Sequence, residues 1–86
     1  MYLPIIDVKS EKNYSIEVKF SNGQIRSLDM RPYLDKGVFK RLKNERIFKT
    51  VHVSFDTVEW DCGIDLDPEF VFEKSRPLLG AESSNK

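Results

Sequence analysis

Residues 14–20 carry the pattern that most restricts how this chain can fold. Apolar and polar residues alternate strictly through the segment, with Tyr14, Ile16, Val18 and Phe20 against Ser15, Glu17 and Lys19. A period of two places these sets on opposite faces of a strand, whereas a helix needs a period of about 3.6 residues. We therefore predict a strand with one buried face, which excludes a helical bundle.

The dipeptide Asn22-Gly23 follows this strand and predicts a tight hairpin. Asn-Gly is the preferred centre of a type I′ turn, because both residues tolerate a positive φ angle. A two-residue loop of this kind pairs Phe20 with Ile25 on the core side. It also leaves Arg26 on the solvent side of the returning strand.

Residue spacing also predicts the remaining elements. Strands are expected over residues 4–10 and 51–55 and from Val58 onward, and helical turns over residues 38–42, 45–49 and 68–74. Asn44 and Asp67 are each expected to cap the helix that follows, because their side chains accept hydrogen bonds from free backbone amides. The expected fold class is α+β, with a twisted, mostly antiparallel sheet of about five strands and two or three short helices.

A single domain accounts for the length and composition. The chain has 86 residues, and a chain this short buries only about 60% of its unfolded surface, so each large apolar residue matters. We expect residues 1–75 to form one α+β domain and the polar segment 76–86 to be a disordered tail.

Val38 and Phe39 are expected to share the apolar side of their helical turn with Leu42. The residues expected to be largely buried are Trp60, Phe20, Val18, Val53, Leu42 and Phe48.

Charge is unevenly distributed, although the formal net charge is zero. Residues 36–52 contain six basic residues and one acid, whereas residues 56–73 contain seven acids and no base. Solubility alone explains such surfaces, but a basic surface also suits an anionic partner. If the stretch Lys36–Lys49 binds a partner, the residues expected to do so are Lys40, Arg41, Lys43 and Arg46.

The sequence contains no pattern typical of a catalytic, metal or cofactor site. One group of acids fails the spacing of a calcium loop: Asp61, Asp65, Asp67 and Glu69. His52 and Cys62 lack the other groups of a nucleophilic site, and the four glycines form no phosphate-binding loop. We therefore expect a protein that is not an enzyme, with no catalytic residues, no metal and no cofactor.

The sequence also bears on the compartment of the protein. The single cysteine excludes an intramolecular disulfide, and the N-terminus lacks the basic region of a signal peptide. No apolar run reaches the roughly 20 residues that span a bilayer. We therefore expect a cytoplasmic protein without membrane contact.

Several short motifs occur in an order that is more specific than any one of them. They are Ile6-Asp7-Val8, Asn22-Gly23, Pro32-Tyr33-Leu34, Gly37-Val38-Phe39, Leu42, Phe48, Val51-His52-Val53, Trp60, Gly63, Asp65-Leu66 and Pro68-Glu69. In these motifs the chain resembles the domain of unknown function 2442 family, small and mostly bacterial proteins, from Leu3 to Phe70. The resemblance implies an α+β fold and no established activity.

The resemblance also implies a genomic setting, because family members often lie beside another small family in an arrangement suggestive of toxin–antitoxin operons. We therefore expect a protein-interaction module whose partner is an operon neighbour or a second copy, with an antitoxin-like role. The contact is expected at an open sheet edge or on the basic stretch, with the acidic surface of residues 56–73 as the alternative contact. The alternative is a nucleic-acid-associated accessory protein that uses Lys36–Lys49.

Overall fold

Antiparallel strands make up much of the described chain, residues 3–78 of this computed structural model. The strands are β1 (Ile5–Glu11), β2 (Ser15–Phe20), β3 (Ile25–Asp29), β4 (His52–Ser54), β5 (Thr57–Glu59), β6 (Asp65–Leu66) and β7 (Arg76–Pro77). The α-helices are α1 (Glu45–Phe48) and α2 (Pro68–Lys74), and 3₁₀ turns cover Lys12–Tyr14, Arg31–Tyr33 and Gly37–Lys43. These elements confirm the α+β class.

The strands are divided between two sheets, a division that the sequence did not indicate. One sheet has the order β1-β2-β3-β7 and the other has the order β4-β5-β6, and every pairing is antiparallel. Helical turns occupy the chain between β3 and β4, so β4 does not return to pair with β3. The sheets meet where β1 lies beside β4, and the Ile5 amide donates to the Asp56 carbonyl at 3.0 Å.

The hairpin between β2 and β3 forms as predicted, but its loop has three residues and not two. Phe20 N–H donates to the Gln24 carbonyl and Gly23 N–H donates to the Phe20 carbonyl, both at 2.9 Å. Gly23 has a φ of 92° and Asn22 has no positive φ, so the predicted type I′ turn is wrong. The geometry is a type I turn followed by a left-handed glycine.

The longer loop shifts the strand register by one residue. Ile16 pairs with Leu28, and Val18 pairs with Arg26. The predicted register would instead have placed Asp29 opposite Ile16, on the buried face. A one-residue shift exchanges the two faces of a strand, so burial of Leu28 in place of a carboxylate explains the observed register.

Trp60 and Phe48 are buried in the core, as predicted. The Trp60 ring is fully buried, its Nε1 donates to the Phe48 carbonyl at 2.9 Å, and the two ring centroids are 6.0 Å apart. Phe20, Val18 and Leu42 are also buried as predicted. Val53 is only half-buried, because β4 is an outer strand of its three-stranded sheet.

Arg26 lies on the core side of β3 because of the register shift, and it binds the end of α2. Its Nε donates to Ser75 Oγ and its Nη2 to the Ser75 carbonyl, both at 2.8 Å, and Nη2 also donates to the Phe72 carbonyl at 3.2 Å. The guanidinium carbon is 4.2 Å from the centroid of the Phe72 ring. The cation therefore satisfies carbonyls that a helix leaves unpaired at its C-terminus.

Strand β7 follows directly from this contact. Arg76 pairs with Ser27, Pro77 pairs with Arg26, and Leu78 N–H donates to the Ile25 carbonyl at 3.2 Å. The sheet thus includes residues 76 and 77, so the prediction that they belong to the tail is wrong. The remainder of the predicted tail, from residue 79, lies outside the described residues.

Replacement of Trp60 with alanine should lower the free energy of unfolding by ~3–5 kcal/mol, because it leaves a cavity and removes the donor to the Phe48 carbonyl. Chemical denaturation measures this loss. Trp60→Phe is the matched control, since it keeps an aromatic ring in the core while it removes the hydrogen bond and leaves a smaller cavity, and it should be less destabilised. An unchanged denaturation midpoint for Trp60→Ala would contradict the core assignment.

Replacement of Arg26 with methionine should lower the free energy of unfolding by ~2 kcal/mol, because carbonyls bonded to a charged donor lose that donor. Hydrogen exchange of the Leu78 amide should also accelerate, since β7 depends on the same contact. Lys19→Met, at an exposed position of the neighbouring strand β2, serves as the control. Equal effects from the two substitutions would show that the Arg26 contacts do not stabilise the fold.

Candidate functional site

One charged feature of the described chain is a basic surface formed by the 3₁₀ turn Gly37–Lys43, helix α1 and their flanking residues. All of its cations are exposed: Lys36, Lys40, Arg41, Lys43, Arg46 and Lys49. The four predicted partner-binding residues, Lys40, Arg41, Lys43 and Arg46, therefore lie on one segment. Leu42 and Phe48 from the same segment are buried, so the cations are left facing the solvent.

Several contacts hold this segment in place. The Asn44 side chain accepts from the amides of Arg46 and Ile47 at 2.9 and 3.4 Å, which confirms the predicted cap. The Tyr14 hydroxyl donates to the Lys43 carbonyl, and the edges of the Tyr14 and Phe48 rings meet with centroids 5.2 Å apart. The backbone that carries the cations is thus fixed at both the turn and the helix.

One cation of this surface, Lys43, pairs with an acid of the same chain, Asp35. Lys43 Nζ lies 2.6 Å from Asp35 Oδ1, and this hydrogen bond, with the charge of the ammonium, lowers the pKa of Asp35. Both side chains are exposed, and such pairs contribute little to stability. Lys43 is therefore less suited than Lys40, Arg41 or Arg46 to contact a partner.

The prediction that Val38 shares the apolar side of its turn is wrong. Val38 is 64% exposed, whereas Phe39 is half-buried and Leu42 is buried. The segment is a 3₁₀ helix with three residues per turn, so residues three apart lie on one face. Phe39 and Leu42 satisfy that spacing and Val38 does not.

His52 lies on the outer face of the second sheet, in a row with two acids. Its register partner on β5 is Glu59, and the partner of Glu59 on β6 is Asp65. His52 Nε2 is 3.6 Å from Glu59 Oε1, and Nδ1 is 3.5 Å from Asp61 Oδ1 and 2.8 Å from the Thr50 carbonyl. The Thr50 carbonyl, followed by the two carboxylates, raises the pKa of His52.

The structure gives no support for the pairing of His52 with Cys62. The recorded polar contacts of His52 involve Thr50, Glu59 and Asp61, and Cys62 lines a separate cleft beside Val38 and Phe39. Asp67 Oδ2 accepts from the Glu69 amide at 3.1 Å, which confirms the predicted cap of α2. Within residues 3–78, no group of three or more His, Cys, Asp and Glu residues is arranged to hold a metal ion.

Phe55 is an exposed residue that the sequence pattern does not reveal. The alternation predicts a strand that includes Val51, Val53 and Phe55, but Ser54 pairs with Thr57, so Phe55 and Asp56 form a two-residue turn with φ angles of 51° and 70°. The Phe55 side chain is 97% exposed. A bulky residue at positive φ is an outlier, and the motif gave no sign of it because Phe is rare in such turns.

Tyr14 provides a comparison, because its φ is also positive, at 59°. Its ring packs on Phe48 and its backbone carbonyl accepts from the Met30 amide at 2.9 Å. Contacts within the fold therefore offset the strain at Tyr14. The exposed ring of Phe55 receives no such compensation.

Among the open clefts of the described surface, one of about 490 Å³ lies between the first hairpin turn and α1. Its walls carry both Glu11 and Glu45 and both Lys12 and Lys49, so it selects no ligand charge. Two others, of about 300 and 310 Å³, share Asp65. One is bordered by Val38, Phe39 and Ile64, and the other by Phe55, Leu66 and Pro68.

The fold and these surfaces define a small α+β domain of two antiparallel sheets that a basic helical segment links along the chain. The chain belongs to the family described as protein of unknown function (DUF2442), whose model matches residues 5–77. The match ends within β7, so it covers both sheets. Searches of curated proteins and of solved structures gave no significant match. In the described part of the chain, no helix is long and apolar enough to cross a membrane.

The raised pKa of His52 predicts a pH-dependent contribution to stability. A group whose pKa is higher in the folded state stabilises the fold below its unfolded pKa, and this contribution is lost as the pH rises through the folded value. The difference in unfolding free energy between the wild type and His52→Gln should therefore shrink from about pH 5 to about pH 8, the range in which histidine titrates. A difference that grows with pH would contradict the assignment.

Replacement of Phe55 with asparagine should raise the free energy of unfolding by ~1 kcal/mol, because asparagine tolerates a positive φ and the exposed ring has no packing to lose. The matched control is Tyr14→Asn, which relieves similar strain but removes the contacts with Phe48 and Lys43, and so should be destabilising. Thermal denaturation of both variants measures the two effects. A loss of stability in Phe55→Asn would show that the ring packs in solution.

Proposed function

We propose that this protein is a non-catalytic protein-interaction module that binds an acidic partner through the basic surface. The observation that carries the proposal is the exposure of the cations at Lys40, Arg41 and Arg46 on a backbone held by buried contacts. Charges presented on a fixed backbone increase the rate of encounter with a complementary surface and select its register.

The partner that fits the family resemblance is the product of an adjacent gene, for which this protein is the antitoxin-like component.

The burial of the aromatic residues in the basic segment favours a protein partner over a nucleic-acid partner. Phe48 is 3% exposed and packs between Tyr14 and Trp60, and Phe39 is half-buried. Single-stranded nucleic acids are usually bound on exposed aromatic rings, so the aromatic residues of this segment are poorly placed for that purpose.

Reversal of charge on the basic surface tests this proposal. The double variant Lys40→Glu, Arg46→Glu should fold normally and bind the co-expressed product of the adjacent gene at least about tenfold more weakly. The control is Lys19→Glu, Lys74→Glu, which alters the net charge equally at exposed sites elsewhere. The dissociation constant of each variant is measured by calorimetry.

A second measurement separates the two classes of partner. A labelled single-stranded RNA is titrated into the wild type at several salt concentrations. RNA binding that weakens steeply with salt, and that the Lys40→Glu, Arg46→Glu variant abolishes, would favour the nucleic-acid alternative. Equal binding of the gene product by the two double variants would contradict the proposed use of the basic surface.

A further inference from the structure

The outer strands of the two sheets differ in how open their edges are. The edges of β1 and β4 lie beside each other, where Ile5 N–H donates to the Asp56 carbonyl at 3.0 Å. Strand β7 includes Pro77, which has no amide proton to offer to an added strand. The outer edge of β6 is therefore the one best able to accept another strand.

The register of β6 directs the backbone of Asp65 toward this edge. Trp60 N–H donates to the Ile64 carbonyl at 2.8 Å, so Trp60 and Ile64 form a hydrogen-bonded pair. Antiparallel pairs alternate between hydrogen-bonded and non-hydrogen-bonded types, which makes Glu59 and Asp65 a non-hydrogen-bonded pair. The amide and carbonyl of Asp65 thus point away from β5, and residues 3–78 supply no hydrogen-bond partner for them.

The charges across the second sheet indicate what a neighbouring strand would carry. His52, Glu59 and Asp65 form one row across the three strands. Glu59 has His52 on one side, but on its other side it opposes Asp65, and like charges in directly opposed positions are destabilising. A cation at the next position of the row, on a strand added beside β6, would offset the charge of Asp65.

The two clefts that share Asp65 indicate the residues on either side of that cation. In an added strand, the residues before and after the cation point to the face of the sheet opposite to Asp65. Ile64 and Leu66 point to that same face. The cleft at Ile64 is bordered by the exposed Val38, and the cleft at Leu66 by the exposed Phe55. Apolar side chains suit both positions.

We propose that the open edge of β6 binds an extended segment of another protein as an added strand, with a lysine or arginine opposite Asp65 and an apolar residue on each side of it. Main-chain hydrogen bonds supply affinity in such contacts, and pockets for alternate side chains supply specificity. This edge adjoins Arg41, which lines the cleft at Ile64, but Lys40 and Arg46 do not line either cleft. The proposal goes beyond the proposed function. The strained turn at Phe55 holds an apolar ring beside the position of the partner.

Nuclear magnetic resonance titration of the labelled protein with a capped peptide, Gly-Thr-Val-Arg-Val-Thr-Gly, tests the proposal. The Asp65 amide should show a large downfield shift and slower hydrogen exchange. A peptide with glutamate in place of the arginine should bind at least about tenfold more weakly, because it places a third acid in the row. Asp65→Lys should reverse this order of preference.

Two further variants test whether the peptide binds at the β6 edge or elsewhere on the surface. Phe55→Asn should weaken the arginine peptide without a fall in melting temperature, whereas Lys40→Glu, Arg46→Glu should bind it as the wild type does. Equal affinities for the arginine and glutamate peptides, or shifts that leave the Asp65 amide unperturbed, would overturn the proposal. A dimer of the free protein that Asp65→Lys dissociates in sedimentation would also overturn it, since the occupant would then be a second copy.

Discussion

Three aromatic rings in contact join the two sheets of this protein. Tyr14 precedes β2 in the first sheet, Phe48 ends α1, and Trp60 follows β5 in the second sheet. Phe48 meets Tyr14 on one side and Trp60 on the other, with centroid distances of 5.2 and 6.0 Å. The Trp60 indole and the Tyr14 hydroxyl also donate to backbone carbonyls of the helical segment. The segment that carries the basic surface is therefore positioned by the core.

Arg26 shows how a local detail determines a distant element. The left-handed Gly23 lengthens the hairpin loop by one residue, and the register that results places Arg26 on the core side. There the guanidinium binds carbonyls at the end of α2 and stacks on Phe72. Buried polar groups require hydrogen-bond partners, so a strand shifted by one residue would leave these carbonyls without a donor and would remove the support for β7.

The surface of the protein combines two features of different physical origin. The basic surface arises from sequence, because cations interleave with buried apolar residues along one short segment. The β6 edge arises from topology, because β6 is the last strand of its sheet and is only two residues long. Electrostatic attraction acts at long range, and strand pairing acts at contact. The two proposed contacts therefore differ in the distance at which they act.

Local patterns in the sequence were sufficient to predict the α+β class, the β2–β3 hairpin, the caps at Asn44 and Asp67 and the burial of Trp60. Each of these depends on neighbours within a few residues or on the size of one apolar side chain. The division into two sheets, the position of Arg26, the exposure of Val38 and the strained turn at Phe55 were decided by tertiary structure. A strand register is selected by which residues the whole fold can bury, and a turn accepts positive φ at a phenylalanine only when the pairing on both sides imposes it.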